Sequence, residues 1–366
     1  MISIIIFIII LGIIVFVHEL GHFVAAKLSG MRVDEFGFGF PPRLFGVKRG
    51  GTIYSINAIP LGGFVKIKGE GGEEAMDTDS FASKSIPRRI VVILAGVTMN
   101  IILAFVLFTI GFSVGVPQAL DALPKGAIVS DRTVRIGTIL PGSPADKGGV
   151  LSGDIVTSLD GTAVADAEAL RSAIRSGSGD IKLEVLRDKI PTELTIAPTV
   201  LKETNNRGIG VELMDVGTVR FPWYWAPVRG IEATVNTLWS IVLSFYTLIS
   251  GLVIGHGLSS DVSGPVGIAV ITGQAVKIGF RYLLEFTALL SLNLAVVNAI
   301  PFPALDGGRF FFLIIETLRG RAVSRKIEGV AHQVGFTLLM LLIVAITYRD
   351  LVKYSGAIVG FFKGIL

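Results

Sequence analysis

The segment HELGH, His18 to His22, sets two imidazoles four positions apart with a carboxylate beside the first. On a helix a four-residue step brings both rings to one face. His-Glu-x-x-His is the spacing by which a helix offers two nitrogens to zinc, with the glutamate beside them as a general base. The plainer alternative is a pair of core histidines satisfied by hydrogen bonds. The surroundings argue against it: the chain up to His18 reads MISIIIFIIILGIIVFV, and ionisable groups in so apolar a stretch normally face a protein interior or a water-filled cavity.

A catalytic zinc takes three protein ligands and keeps a fourth position open. The chain has no cysteine, and its other histidines, His256 and His332, have no partner at ligand spacing, so both are read as structural. A carboxylate is the natural third ligand, and the best candidate is Asp306 in NLAVVNAIPFPALDGGRFFF. Pro301 and Pro303 stop the preceding helix, and Gly307-Gly308 are expected to allow tight backbone turns. Broken backbone at membrane depth is tolerated where it lines an enclosed cavity. Without the two histidines, Asp306 would read as a helix cap at the membrane face.

These residues must be positioned by membrane helices. Of 366 residues 51% are hydrophobic and only 17% charged, a balance foreign to soluble domains. Four stretches approach the roughly 20 apolar residues that a span needs: Ile2 to Leu28, Ile90 to Val116, Tyr282 to Ile300 and Val330 to Tyr348. A fifth, Ile231 to Gly255, carries a mild polar stripe (Thr237, Ser240, Ser244, Thr247, Gly251) and reads as an interfacial or packed helix. The apolar opening has no basic n-region and no clean cleavage site, and so reads as a span rather than a signal peptide. Lack of cysteine excludes a disulfide framework and thiolate chemistry. The net charge of +4 is modest, and the basic residues adjoin apolar segments, which makes them topology signals and excludes a nucleic-acid patch.

The stretch from Gly30 to Arg89 is rich in Arg and Lys, as is the segment carrying Arg309, Arg319, Arg321, Arg325 and Lys326; both are expected in the cytoplasm. The residues before His18 extend roughly 26 Å as a helix, most of a hydrocarbon core about 30 Å thick, so the histidines lie toward the cytoplasmic side. A lone crossing by 231–255 would carry Asp306 to the far side of the membrane. Four spans are therefore expected; a six-span version in which Ser263 to Phe280 also crosses preserves the site equally. Around Pro60-Leu61-Gly62-Gly63 the β-branched and aromatic residues predict two strands joined by a turn.

Between the second and third spans lies a charged, turn-rich module, 130–215. Its run GSPADKGGVLSGDIVTSLDG, Gly142 to Gly161, resembles a PDZ domain. Gly208-Ile209-Gly210-Val211 resembles the loop with which such domains cradle a peptide carboxylate, and its late position implies the permuted order of bacterial PDZ domains. The alternative is a simple glycine-rich turn.

HELGH in the first span, the PDZ-like module, and Asn-x-x-Pro-x-Pro-x-Leu-Asp-Gly-Gly near the end of the chain together resemble the site-2 protease family of intramembrane zinc metalloproteases, of the bacterial RseP-like type. The resemblance implies an α-helical integral membrane protein of the bacterial inner membrane, with about four transmembrane helices, a membrane-associated β-region and an inserted extracytoplasmic α+β PDZ domain. The expected parts are a first helix at 1–30, the β-region at 31–89, a second helix at 90–117, the PDZ domain at 130–215, an interfacial helix at 227–262, a third span with the LDG motif at 280–310 and a fourth at 330–349. It further implies Zn2+ held by His18, His22 and Asp306, Glu19 as general base, and Asn298 stabilising the oxyanion, although an interhelical hydrogen bond would equally explain Asn298. Asn100 and Asn293 are read as packing polars. The implied substrates are single-pass membrane proteins, anti-sigma factors or remnant signal peptides, unwound onto the β-region by strand addition, with the PDZ domain binding peptide C-termini; the alternative for residues 31–89 is a small cytoplasmic sheet. Some family members carry two PDZ domains; this chain shows one. Two readings of other classes remain: a non-catalytic membrane-bound PDZ scaffold, which needs none of His18, Glu19, His22 and Asp306, and a zinc carrier, which needs a ladder of sites.

Overall fold

A computed structural model describes all residues except 1, 72, 73, 75, 121, 122, 124, 125, 188, 189, 202–204, 255–262 and 356–366. His256 thus lies outside the described residues. The chain forms two compact units, Met1–Gly111 with Pro227–Leu366, and Phe112–Ala226.

The first unit is mainly helical: α1 (Ile2–Leu28), α2 (Ile86–Val114), α5 (Ala226–Ile254), α6 (Pro265–Ile278), α7 (Phe280–Ala299), α8 (Asp306–Arg319) and α9 (Arg325–Lys353). Five of these, α1, α2, α5, α7 and α9, are long and apolar enough to cross a membrane. The helix at 231–255, expected at the interface, therefore has the length and composition of a span. In lipid, apolar burial hardly drives helices together, so close packing through small residues takes over. Where α1 and α2 cross, a Cβ on Gly21 would strike the backbone of Ala95. Deeper in the bundle Ala104, Ile241, Ala288 and Leu292 form one buried cluster from α2, α5 and α7. The start of α6 is tied to the end of α9, where the Asp350 carboxylate accepts the Gly267 N–H at 2.7 Å.

Strands β1 (Val33–Arg49) and β2 (Thr52–Ile67) join at Gly50-Gly51, both at positive φ. Residues Glu35 to Phe38 lie between Ile53–Ile56 on one side and Gly63–Lys66 on the other. This corrects the expected hairpin about residues 60–63: the chain does bend there, yet the flanking segments pair with a shared central segment and not with each other. Register requires it, because Phe36 is thereby buried against Phe16 and Phe23 of α1.

The second unit is a sheet in the order β3 (Val116–Ala119), β11 (Val211–Arg220), β4 (Ile128–Ile139), β5 (Ile155–Leu159), β7 (Ile181–Arg187), β8 (Ile190–Ile196), with β6 (Thr162–Ala163) beside β5 and a separate pair of β9 (Thr199–Leu201) and β10 (Asn206–Gly208). Helix α3 (Pro144–Lys147) is capped by Ser143, and α4 (Ala167–Ser176) by Asp166, whose carboxylate accepts the Ala169 N–H at 2.7 Å. Leu170 and Ile174 of α4 enter a core with Val134, Ile136, Val156, Leu183, Val185 and Ile196, each side chain contributing about 1.5–3 kcal/mol by its burial. Asp154, buried at the head of β5, pairs with Arg187 at 2.7 and 2.9 Å.

Candidate metal centre

In α1 the four-residue step places His18 and His22 side by side, both buried. The helix α7 stops at Ala299 because Pro301 and Pro303 cannot continue it, and α8 begins at Asp306 after a short loop. That loop is held by His332 of α9, whose Nδ1 accepts the Ala304 N–H at 2.8 Å, and Ala304 sits at φ 83°, a left-handed position uncommon for alanine. Gly307 and Gly308 are helical and do not make the expected turns. They are needed for close approach: a Cβ on Gly307 would overlap the carbonyls of Ala299 and Ile300, and one on Gly308 that of Phe302. Asp306 is thus folded back onto the HELGH face.

Three atoms converge there. Asp306 Oδ2 lies 3.0 Å from His18 Nε2 and 3.3 Å from His22 Nε2, and the two ring nitrogens are 3.2 Å apart. Tetrahedral zinc with bonds of about 2.0–2.1 Å sets its donors about 3.3 Å apart, so the triangle matches three corners of that polyhedron. Asp306 Oδ2 is buried without a hydrogen bond, an orphan that a cation would satisfy. His22 Nδ1 donates to the carbonyl oxygen of Val92 at 2.8 Å, which leaves its Nε2 as a lone pair aimed at the centre. The residues fit a zinc ion.

Glu19 follows His18 and its Oε2 accepts the Val65 N–H at 3.1 Å, so the β-region fixes the glutamate. Asn298 lies in the last turn of α7, half-buried; its side chain makes no hydrogen bond among the described residues. Gly208 to Val211 belong to the second unit. There the carbonyl oxygens of Ile209 and Gly210 accept the N–H groups of Ala145 and Leu140, each at 2.9 Å, and Gly210 has φ +80° with Ser143 packed where a Cβ would stand.

What sequence reading overlooked is the contribution of α2. Val92, Gly96 and Asn100 recur at four-residue steps and face the His18/His22 step of α1: Val92 through its carbonyl, Gly96 by having no side chain, and Asn100, fully buried, through an amide 3.3 Å from His18 Nδ1. A Cβ on residue 96 would lie 2.7 Å from His18 Cε1 and closer still to His22 Nε2. Arg309 of α8 pairs with Glu70, and Glu316 of α8 with Arg89 of α2, fastening the helix that delivers Asp306.

A model of peptidase family M50 matches residues 6–342. The chain belongs to peptidase family M50, the site-2 proteases. Among its relatives is a Clostridium acetobutylicum protein with an inferred zinc-metalloprotease name, 35% identical over 96% of this chain and 97% of that protein. The zinc metalloprotease RasP of Oceanobacillus iheyensis is 28% identical over 96% of this chain and 99% of its own length. The regulator of sigma-W protease RasP of Bacillus subtilis is 28% identical over 95% and 98%. The PDZ domain of the SdrC-like protein of Listeria innocua is similar to 22% of the chain, with 22% identity, 92% of that domain covered and a TM-score of 0.21. Family membership makes this M50 chain a metalloprotease, and its apolar helices make it a membrane protein.

Proposed function

We propose that the chain is an intramembrane zinc metalloprotease of the RseP type that hydrolyses peptide bonds in the membrane segments of single-pass substrates, with His18, His22 and Asp306 as zinc ligands. The observation that carries this reading is the donor triangle of 3.0, 3.2 and 3.3 Å formed by an apolar helix and a distant loop. When bound, zinc supplies a Lewis acid that acidifies water and polarises a carbonyl. Glu19, next to His18, is the general base: its carboxylate takes the proton from the attacking water and returns it to the departing amine nitrogen. Val65 holds that carboxylate in place. Asn298, at the break in α7, is proposed to donate to the oxygen that becomes negative.

A helix hides its peptide bonds, so the substrate must be unwound before cleavage. The 63–67 segment borders α1 at Glu19, and an extended substrate strand added to this sheet would lie beside the reacting groups. In the module, no hydrogen bond from the Ile209 or Gly210 N–H is found among the described residues, which suits a cradle for a peptide carboxylate at residues 208–211. The substrate class, anti-sigma factors or remnant signal peptides, follows from family resemblance.

The basic segments at 31–89 and 309–326 favour a cytoplasmic side for the loops next to the metal site and an extracytoplasmic side for the module. Chain geometry supports the same parity. Gly230 of α5 packs on Thr109 near the end of α2, while α6 lies where α1 begins and α9 ends, with Gly273 on Ser3 and Gly267 on Asp350. Residues 230–267 thus start and finish at the same end of the bundle, however α5 is counted.

The test is zinc content together with cleavage of a model transmembrane substrate by the wild type and Glu19→Gln. Zinc in both and cleavage only in the wild type is the expected result. Zinc in neither would sink the metal reading. Zinc in both without cleavage, across several substrates and with the module removed, would favour the PDZ scaffold.

A further inference from the structure

We propose that Asn100 presents its amide oxygen, and not its nitrogen, to His18, and that this contact holds His18 in the tautomer whose Nε2 lone pair faces the metal. The inference rests on the zinc reading above and concerns a residue that touches no substrate: Asn100 is a positioning residue.

Asn100 sits on α2 one turn beyond Gly96 and has no exposed surface. Its backbone carbonyl accepts the Ser291 hydroxyl of α7 at 2.8 Å, which fixes this part of α2 against α7. The side-chain amide reaches His18 Nδ1 at 3.3 Å through the atom assigned as nitrogen. In that assignment an N–H donates to Nδ1, Nδ1 is the lone pair, and the ring proton must ride on Nε2, where it points at His22 Nε2 and Asp306 Oδ2. A proton there and a metal there exclude each other. Amide oxygen and nitrogen are nearly the same size, and which is which follows from the hydrogen-bond network. The far atom of the amide, Oδ1, is buried and has no partner among the described residues, so the exchange breaks no hydrogen bond there; it replaces an unpaired oxygen by an unpaired NH2 group, a cost that the metal-ready His18 tautomer must outweigh.

After exchange the two histidines are treated alike. His22 Nδ1–H donates to the Val92 carbonyl, and His18 Nδ1–H donates to Asn100 Oδ1. The outer partners come from positions 92 and 100 of α2, with Gly96 between them leaving room for both rings. Metal-binding histidines generally need such an acceptor on the second nitrogen, and its loss typically weakens metal binding 10–100-fold.

The experiment uses the full chain in detergent and reads zinc affinity by competition with a chelator, alongside cleavage. Asn100→Leu keeps the size and removes the acceptor; Asn100→Asp keeps an acceptor and removes the donor. The expected order is Asp at least as tight as wild type and Leu about 10–100-fold weaker. Wild-type affinity in the leucine variant overturns the proposal, and so does an aspartate variant as weak as leucine, since that would make the N–H the important atom. His18→Ala separates the two readings: zinc retained there, or absent from the wild type, means the metal centre itself is wrong. Should the variants fail to fold, cobalt-loaded wild type decides. A slowly exchanging, hyperfine-shifted His18 Nδ1 proton supports the contact, and one that exchanges freely with water overturns it.

Discussion

Gly96→Ala tests the metal centre through a residue that has no side chain to lose. The added Cβ would stand 2.7 Å from His18 Cε1 and 2.8 Å from His18 Nε2, whereas ordinary contact begins near 3.4 Å. The obstacle cannot move away, because Gly96 belongs to a helix whose Val92 carbonyl is itself bonded to His22. The His18 ring must therefore retreat by about 0.6–0.7 Å and the His22 ring by more, when metal sites tolerate about 0.2 Å in ligand distance. A displacement of that size exceeds a lost outer hydrogen bond, so zinc affinity should fall by about 100-fold or more, about 2.7 kcal/mol. Chelator competition on the purified chain measures it, with cleavage falling in step. Gly329→Ala in α9 is the control: the same methyl group meets open space and should leave zinc and activity unchanged. Wild-type zinc affinity in Gly96→Ala, with the protein folded, would refute the argument that α2 sets the ring positions.

Three further expectations come from other parts of the molecule. Gly307→Ala should lose zinc while the PDZ-like module stays folded, since the methyl group would push the start of α8 off the carbonyls of Ala299 and Ile300; metal content and limited proteolysis check both halves. His332→Leu removes the acceptor for the Ala304 N–H, leaves a half-buried donor unpaired and should weaken zinc binding about tenfold through Asp306; an unchanged affinity would show that the loop holds itself. In the module, burial raises the pKa of Asp154, but hydrogen bonds from Arg187 and from the Leu151 N–H outweigh it and hold the carboxyl below its ordinary value. The stabilisation from that pair is complete above the unfolded carboxylate pKa of about 3.9 and disappears as pH falls through the lower folded value. Asp154→Ala should cost about 2 kcal/mol at pH 7, allowing for the partial exposure of Arg187, seen as faster amide exchange in β5 and β7. The difference from wild type should shrink only below about pH 4; a difference that vanishes already at pH 6 would contradict the assignment.

The three residues that the structure brings together, His18, His22 and Asp306, were legible in the sequence because their chemistry is unusual for their setting. Two histidines at helical spacing after an apolar run, and an aspartate behind two prolines, have few other reasons to exist. The surrounding frame was not legible for three physical reasons. Val92 acts through its carbonyl, which every residue possesses. Gly21 and Gly96 act through absence of atoms, and glycine is common in membrane helices for many reasons. Asn100 looks from sequence like any polar group packed between helices, and only its distance from His18 gives it a role. The bend at 60–63 was foreseen, but strand order was not, since pairing partners depend on how the sheet meets α1. Residues 231–255 divided the reading because Ser and Thr lower hydropathy while their hydroxyls bond back along the helix, as Ser240 and Ser244 do, and so carry less polarity than composition suggests.

The proposed ligands come from opposite ends of the chain, with His18 and His22 in the first helix and Asp306 opening α8. Synthesis runs from the N-terminus at about 5–20 residues per second, so the first helix and the intervening module leave the ribosome well before Asp306 exists. Until then the growing chain holds only two of its three proposed metal ligands and cannot complete the site. The protein therefore passes through insertion beside many other newly made membrane helices as an incomplete enzyme. The order of its own sequence would postpone its reactivity until Asp306 is made.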